Sequence, residues 1–337
     1  METTLRKYDL ELGIGPMSEE IVEAVFRVSH YQRRPLMLIP SKNQVDHKGG
    51  YVNNWTTKQF MDFIRKMRST YPHSSVKICR DHCGPGFNGN FNLDDTYESI
   101  RSDVKHGFDL IHIDFCHFQG SKGERFAASK KAIELCLELN PNLELEIGTD
   151  ENEGTNFSLA NLHELEEEID FFKEFCNPLF YVVQTGSLVK EINQAGNFNP
   201  GFIAKVHELL QRKGLKLKEH NADYLSKDEI LARQGIVDAM NIAPQLGVVQ
   251  TMLVLNKCLM YGIPFGDFID EVYQSGKWKK WLQDNTAENK FLCACIAGHY
   301  LFSSPRFKTM MSELEKREDI REVIINQIME VIDHYSY

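Results

Sequence analysis

The chain has 337 residues, 42% of them hydrophobic, which is long enough for one large domain or two ordinary ones. Its formal charge of −10 at pH 7 argues against nucleic acid as a partner, because phosphate backbones are bound through lysine and arginine fields. The chain lacks an 18-residue apolar run and a signal-peptide pattern, and its eight cysteines are scattered through apolar segments, so we expect a cytoplasmic protein with reduced thiols and no membrane partner.

Eight short segments have the composition of β-strands, and most precede a helical pattern. In chain order they are LELGIG near residue 10, PLMLIPSKNQ near 36, VKICRDH near 76, LIHIDF near 110, LELEIG near 143, FYVVQTGS near 180, LKLKEH near 215 and DAMNIA near 238. Their starts recur at roughly 25 to 40 residues, the size of a β/α unit. The count of eight favours an α/β fold of the (β/α)₈ TIM-barrel type over a doubly wound open sheet.

The β/α rhythm stops after about residue 256, where long amphipathic helices are predicted. We therefore predict a barrel over residues 1–255 and a helical extension over residues 256–337 that packs on it. Trp278 and Trp281 in this extension lie among Lys277, Lys279 and Lys280. This aromatic and basic patch is interpreted as a helix surface or as a cover for a substrate anion.

Polar side chains mark the carboxyl ends of the predicted strands, the end where TIM barrels carry their active sites. They are Asn43, Gln44, Asp81, His82, Asp114, Glu146, Gln184, His220 and Asn241. Alternation also predicts which side chains face the barrel interior. These are Lys77, Cys79 and Asp81, then His112 and Asp114, then Glu144 and Glu146, and finally Lys216, Lys218 and His220. We expect the three lysines to offset Asp114, Glu144 and Glu146, because buried charges require partners.

Asp81 and His82 stand directly before Cys83-Gly84-Pro85-Gly86, a sequence that breaks a strand. If the strand ends between them, both side chains can share one site, with His82 as a metal ligand and Asp81 as a general acid or base. His82, Glu146 and His220 together suit Zn²⁺, with Mn²⁺ or Co²⁺ as alternatives. The alternative interpretation is that the Asp-His pair is only hydrogen-bonded, Glu146 pairs with a lysine, and His220 caps a turn.

The motifs SKNQVDHKGGY, RDHCGPGF, IHIDF, EIGTDENEG, VVQTGS, EHNADY and NIAPQLG occur in this order. Their succession resembles the GatZ/KbaZ-type D-tagatose-1,6-bisphosphate aldolase family, relatives of the class II fructose-bisphosphate aldolases. The resemblance implies a divalent metal held by His82, Glu146 and His220, with Asp81 as proton donor or acceptor. The candidate substrate contacts are Asn43, Gln44, Asp114, Gln184, Asp223 and Asn241.

Two departures from the class II pattern bear on function. Gln184 stands where those aldolases have a third metal histidine, and Asn221-Ala222-Asp223 replaces their Gly-rich phosphate loop. We expect metal-dependent aldolase or retro-aldol epimerase chemistry on a ketose or ketose phosphate. The alternative is a non-catalytic accessory subunit that stabilises a partner class II aldolase, and the chain is also a candidate homo-oligomer. A third hypothesis is Schiff-base chemistry at Lys77, Lys216 or Lys218.

Overall fold

A closed barrel of eight parallel strands forms the centre of the molecule. The computed structural model describes residues 10–148, 161–283 and 289–336. The strands are β1 (Glu11–Ile14), β2 (Pro35–Leu38), β3 (Ser75–Cys83), β4 (Leu110–Ile113), β5 (Glu144–Gly148), β6 (Phe180–Val182), a small antiparallel pair β7 (Val189–Lys190) and β8 (Asn193–Gln194), and then β9 (Lys216–Glu219) and β10 (Ala239–Ile242). The barrel closes in the order β1-β10-β9-β6-β5-β4-β3-β2. The predicted TIM barrel is confirmed, and each predicted strand segment contributes one of its strands.

Helices cover the outside of the barrel. They are α1 (Glu19–Gln32), α2 (Thr57–Thr70), α3 (Leu93–His106), α4 (Lys122–Leu139), α5 (Asn161–Lys173), α6 (Pro200–Arg212), α7 (Lys227–Leu231), α8 (Pro244–Tyr261), α9 (Gly266–Ser275), α10 (Lys290–Ala297), α11 (Pro305–Glu315) and α12 (Ile320–His334). Local signals set their ends. Thr56 and Gln59 form a capping box that starts α2, and Gly107, with φ of 93°, ends α3 in the left-handed conformation.

The C-terminal helices pack against the barrel's outer layer. Helix α12 lies on α1 and α8, and the buried Arg34 donates to the carbonyl oxygens of Ile332 and Tyr335 at its end. The predicted domain boundary at residue 255 falls within α8, and the division into two domains remains a prediction. Within the described ranges, no helix is long and apolar enough to cross a membrane.

The barrel interior contains charged pairs and an apolar cluster. Lys77 Nζ lies 2.6 Å from Glu144 Oε2, and Lys218 Nζ lies 2.6 Å from Glu146 Oε2, as the alternation predicts. Lys216 instead pairs with Glu11. The apolar cluster consists of Met37, Ile39, Cys79, Leu110, Phe180 and Ala239. The expectation that a lysine would offset Asp114 is wrong, because that carboxylate pairs with His82.

The outward faces of two strands are less apolar than the pattern predicts. Arg80 on β3 is fully buried and makes two hydrogen bonds to the carboxylate of Asp103, at 2.6 and 2.7 Å. Arg233 binds the buried carboxylate of Glu219 on β9 in a similar way. Burial is tolerated at both places because each charge is paired and hydrogen-bonded.

Candidate functional site

A pocket of about 740 Å³ opens at the carboxyl end of the barrel. Most of the predicted site residues line it: Asn43, Gln44, Asp81, His82, His220, Asp223 and Asn241. Asp114 and Glu146 are buried behind this lining. Gln184 is half-buried and lies outside the lining. The position matches the active face of TIM barrels, where loops after the strands converge.

Four side chains at the floor of the pocket form a tight cluster. Asp81, His82, His112 and His220 each offer one ligand atom, and these atoms all lie within 4.8 Å of one another. Asp81 Oδ1 is 3.5 Å from His112 Nδ1 and 3.8 Å from His220 Nε2. The sequence predicted His112 only as a lining residue, yet it belongs to this cluster.

Backbone irregularity in β3 brings the neighbours Asp81 and His82 into one site. The prediction that the strand ends between them is wrong, since β3 continues to Cys83 with a register shift after Arg80. His82 adopts φ of 47°, a left-handed conformation that few non-glycine residues adopt, and its side chain turns toward the same cluster. Gly84 lets the chain after His82 pass close to the backbone of β4. A Cβ at this position would lie 1.6 Å from the Asp114 carbonyl oxygen.

Hydrogen bonds orient two of the imidazoles. His82 Nδ1 lies 2.7 Å from Asp114 Oδ2, so its Nε2 faces Asp81 at 3.7 Å. His112 Nε2 lies 2.9 Å from the carbonyl oxygen of Gly148, and its Nδ1, on the cluster side, accepts from the backbone N–H of His82 at 3.3 Å and lies 3.5 Å from Asp81 Oδ1. A carboxylate or carbonyl on the far ring nitrogen is the usual support of a metal-binding histidine.

Glu146 joins the cluster to the barrel interior. Its Oε2 accepts from Lys218, while Oε1 lies 3.2 Å from His220 Nε2 and 3.6 Å from His112 Nδ1. Burial alone would raise the pKa of Glu146, but Lys218 and the histidines outweigh it and lower that pKa to about 2. The lysine therefore compensates one oxygen, and the other points toward the histidines. Its role as a metal ligand remains a prediction.

The cluster also sets the charge state of its members. Burial acts to raise the pKa of Asp81, but His82 and His220 outweigh it, so the pKa is held well below its usual range. Burial lowers the pKa of His220. The ionised form of Asp81 is the one that can take up a proton or bind a metal ion.

These donors fit a divalent cation of the zinc class. Imidazole nitrogens from His82, His112 and His220 converge with a carboxylate oxygen of Asp81, and Glu146 Oε1 lies beside two of them, 3.6 Å from His112 Nδ1 and 3.2 Å from His220 Nε2. Mixed nitrogen and oxygen donors in this number suit Zn²⁺, Mn²⁺ or Co²⁺ better than the all-oxygen preference of Mg²⁺ or Ca²⁺.

The opposite wall of the pocket was largely missed by the sequence analysis. It consists of Tyr51, Lys280, Trp281, His299 and Tyr300. Part of the aromatic and basic patch thus reaches the pocket, whereas Trp278 is buried and stacks on Tyr273. Asn241 lines the same pocket, and within the described part of the chain neither polar atom of its buried amide has a hydrogen-bond partner.

Asp223 faces the pocket but is held by backbone. Its Oδ1 accepts from the N–H groups of Ala243 and Gln245, both at 2.9 Å. Burial raises the pKa of this carboxyl to about 7, although the two backbone donors oppose the shift. The observed partners of the Asp223 side chain are these two backbone N–H groups. Its direct contact with substrate remains a prediction.

Comparisons with known proteins agree with the fold and the motifs. The D-tagatose-1,6-bisphosphate aldolase subunit GatZ/KbaZ-like family matches over residues 12–136. A probable tagatose 6 phosphate kinase from Sinorhizobium meliloti superimposes with a TM-score of 0.79 at 15% identity, covering 96% of this chain and 98% of that one. A fructose-bisphosphate aldolase from Campylobacter jejuni gives 0.62 at 11% identity, covering 97% and 90%.

A third solved structure, the fructuronate-tagaturonate epimerase UxaE from Cohnella laeviribosi, gives a TM-score of 0.66 at 13% identity and covers 98% of this chain and 81% of its own. Identities this low establish a shared barrel and leave the chemistry to the site. The resemblance to the GatZ/KbaZ-like family that the motifs indicated is confirmed by the family match over residues 12–136.

Proposed function

We propose that this protein is a metal-dependent enzyme that breaks or remakes a carbon–carbon bond of a ketose by aldol chemistry, as an aldolase or a retro-aldol epimerase. The observation that carries the proposal is the convergence of Asp81 with His82, His112 and His220 at the pocket floor. The family match, and solved relatives named as an aldolase and an epimerase, support the same class of chemistry.

The proposed metal ligands are His82, Glu146 and His220, with Zn²⁺ as the preferred ion. A bound divalent ion supplies a Lewis acid that polarises the ketose carbonyl and stabilises negative charge on its oxygen. Asp114 holds the imidazole of His82 through a 2.7 Å contact, and Lys218 balances one oxygen of Glu146. His112 belongs to the same cluster, with its Nδ1 at 3.5 Å from Asp81 Oδ1.

Asp81 is the proposed proton-transfer group. Its ionised carboxylate takes the proton from the hydroxyl group on the carbon next to the bond that breaks. The electrons of that bond then move toward the carbonyl, and an aldehyde is released from the hydroxyl carbon. In the reverse direction Asp81 returns the proton, and re-addition to the opposite face of the aldehyde gives an epimer.

Schiff-base chemistry is less well supported. Each candidate lysine is engaged with a carboxylate: Lys77 with Glu144, Lys216 with Glu11 and Lys218 with Glu146. Burial opposes the shift, but the partner glutamates outweigh it and raise the pKa of Lys77 and Lys218. A lysine that stays protonated cannot attack a carbonyl.

The test is metal analysis combined with turnover. Purified protein should hold about one divalent ion per chain, and His82→Asn should lose it, since asparagine tolerates the positive φ but is a poor zinc ligand. His163→Asn is the matched control, because His163 is 81% exposed on α5. Asp81→Asn should keep the ion yet lose turnover of a ketose panel by at least about a hundredfold. Retention of the ion by His82→Asn, or unchanged turnover by Asp81→Asn, would contradict the proposal.

The accessory-subunit alternative predicts a different result from the same preparations. The isolated chain would then turn over no ketose with or without added metal, and a class II aldolase would co-purify with it.

A further inference from the structure

In TIM barrels the usual place for a substrate phosphate is formed by the loops after the seventh and eighth barrel strands and by a helix N-terminus beside them. Here the corresponding elements are the loop after β9, the loop after β10 and the start of α8. The backbone N–H groups at this point decide whether an incoming phosphate finds donors.

Those donors are already used by the protein. Asp223 places Oδ1 at 2.9 Å from both Ala243 N and Gln245 N, and its side chain is only 1% exposed. Pro244, between them, has no N–H to offer. Leu246 N donates to the Ala243 carbonyl oxygen. The carboxylate of Asp223 thus occupies the position of an anion at the helix start.

The loop that carries Asp223 is fixed on its other side as well. Gln194 Nε2 donates to the carbonyl oxygens of Asn221 and Asp223, and Tyr335 Oη donates to the carbonyl oxygen of Ala222. Moving this loop to admit a phosphate would break these bonds in addition to the two that the Asp223 side chain accepts. The arrangement is therefore built into the fold.

The remaining polar groups of the pocket are mostly neutral. Asn241 is 4% exposed, and neither of its amide atoms has a hydrogen-bond partner among the residues that the structure describes; the same holds for His299 Nδ1 and Trp281 Nε1. Lys280 is the one lysine or arginine among the described residues that line the pocket, and its Nζ lies 4.5 Å from the centre of the Trp281 ring. Paired neutral donors and acceptors match sugar hydroxyl groups, whereas a phosphate dianion is usually met by several cations or backbone N–H groups.

We propose that the pocket binds an unphosphorylated ketose, with Asn241 contacting its hydroxyl groups and Asp223 filling the place of a phosphate. This inference rests on the proposed function for the ketose itself, and it narrows the substrate from ketoses and ketose phosphates to the unphosphorylated sugars. A sugar acid belongs to the same class, since Lys280 suffices for a single carboxylate.

The experiment measures equilibrium binding by calorimetry, so that it does not depend on turnover. Metal content is determined on the same samples, which separates failure of the metal proposal from failure of this one. The ligands are ketohexoses, ketohexuronates and the 1- and 6-phosphates of the same ketohexoses. Unphosphorylated sugars should bind at least about tenfold more tightly than their phosphate esters. Equal or tighter binding of the esters, or no binding of any sugar, would overturn the inference.

Inorganic phosphate tests the role of Asp223 directly. Asp223→Ala frees the N–H groups of Ala243 and Gln245, so phosphate affinity should rise at least about tenfold over the unchanged protein. Asp223→Asn is the matched control, because its amide oxygen can still accept both hydrogen bonds and should leave phosphate affinity low. Phosphate binding that is equally strong in all three proteins would contradict the assignment, and the sugar panel on the unchanged protein decides the matter if the alanine variant does not fold.

Discussion

Replacing Lys218 with methionine tests the buried ion pair beneath the site. Lys218 Nζ and Glu146 Oε2 lie 2.6 Å apart, and each side chain is 1% exposed. Methionine fills similar volume but leaves the carboxylate without its cation. Removing one partner of a buried pair costs about 3–5 kcal/mol.

The lowered pKa of Glu146 gives a second magnitude, to which Lys218 is the largest favourable contributor and His112 and His220 also contribute. It is lowered from 4.5 to about 2, so the folded state favours the ionised form by about 3 kcal/mol. A lowered carboxyl pKa contributes stability that is present above pH 4.5 and is lost as the pH falls through 2. At pH 7 the whole contribution is present, and we expect Lys218→Met to lower the free energy of unfolding by about 3 kcal/mol.

The assay is urea-induced unfolding of chelator-treated protein at pH 7. Lys216→Met is the matched control on the same strand. Its pair with Glu11 has the same 2.6 Å separation, but the two side chains are 44% and 33% exposed, so the expected loss is under about 1 kcal/mol. Adding Glu146→Gln to Lys218→Met should recover part of the loss, because the unpaired charge is gone. Equal losses for the two lysine variants would refute the reasoning.

Two further predictions concern the site's support and its far wall. Asp114→Asn should weaken metal binding by about 10–100-fold, measured by competition with a chelator, because His82 loses the carboxylate on its Nδ1; unchanged affinity would contradict that role. Burial and the charge of Lys280 lower the pKa of His299 to about 3, against 6.5, so its contribution to stability is present above pH 6.5 and is lost as the pH falls below it. This loss reaches about 2 kcal/mol at pH 5. The His299→Gln variant cannot take up this proton, so its free energy of unfolding should drop by about 2 kcal/mol less between pH 7 and pH 5 than that of the unchanged protein. Identical pH profiles of the two proteins would disprove this role of His299.

The barrel was predictable because its signal is local. Each strand is indicated by a segment of six to ten residues with apolar or alternating composition, and the eight segments can be identified without knowing which strands pair. Arg80 and Glu219 were not predictable in this way. Their parity places them on the outer face, where an apolar residue is expected, and their partners Asp103 and Arg233 are set by tertiary packing.

The sequence predicted most of the site residues but not the distances between them. His112 and Glu146 face each other across the β4–β5 pairing, so both reach the cluster. Period-two alternation identifies that both point inward, but it gives no distances. It also could not anticipate the positive φ of His82, which depends on a register shift between β3 and β4.

The residues of the opposite pocket wall were the hardest to predict from the sequence. Tyr51 and His299 are 248 positions apart, yet their rings lie 6.3 Å from each other over the pocket. No spacing rule connects a loop after β2 to a turn between α10 and α11. The lysine and tryptophan patch gave a partial indication, because Lys280 and Trp281 reach the pocket while their neighbour Trp278 packs into the core.

Charge balance at the pocket floor argues for a divalent ion more strongly than any single ligand. Three carboxylates lie at the cluster, from Asp81, Asp114 and Glu146, and Lys218 offsets one of them. With neutral imidazoles the cluster keeps two excess negative charges in a largely buried setting, which is costly unless cations balance them. Either the histidines take up protons or a dication binds. A histidine nitrogen that carries a proton cannot bind a metal ion. Metal affinity should therefore fall as the pH is lowered and the imidazoles become protonated.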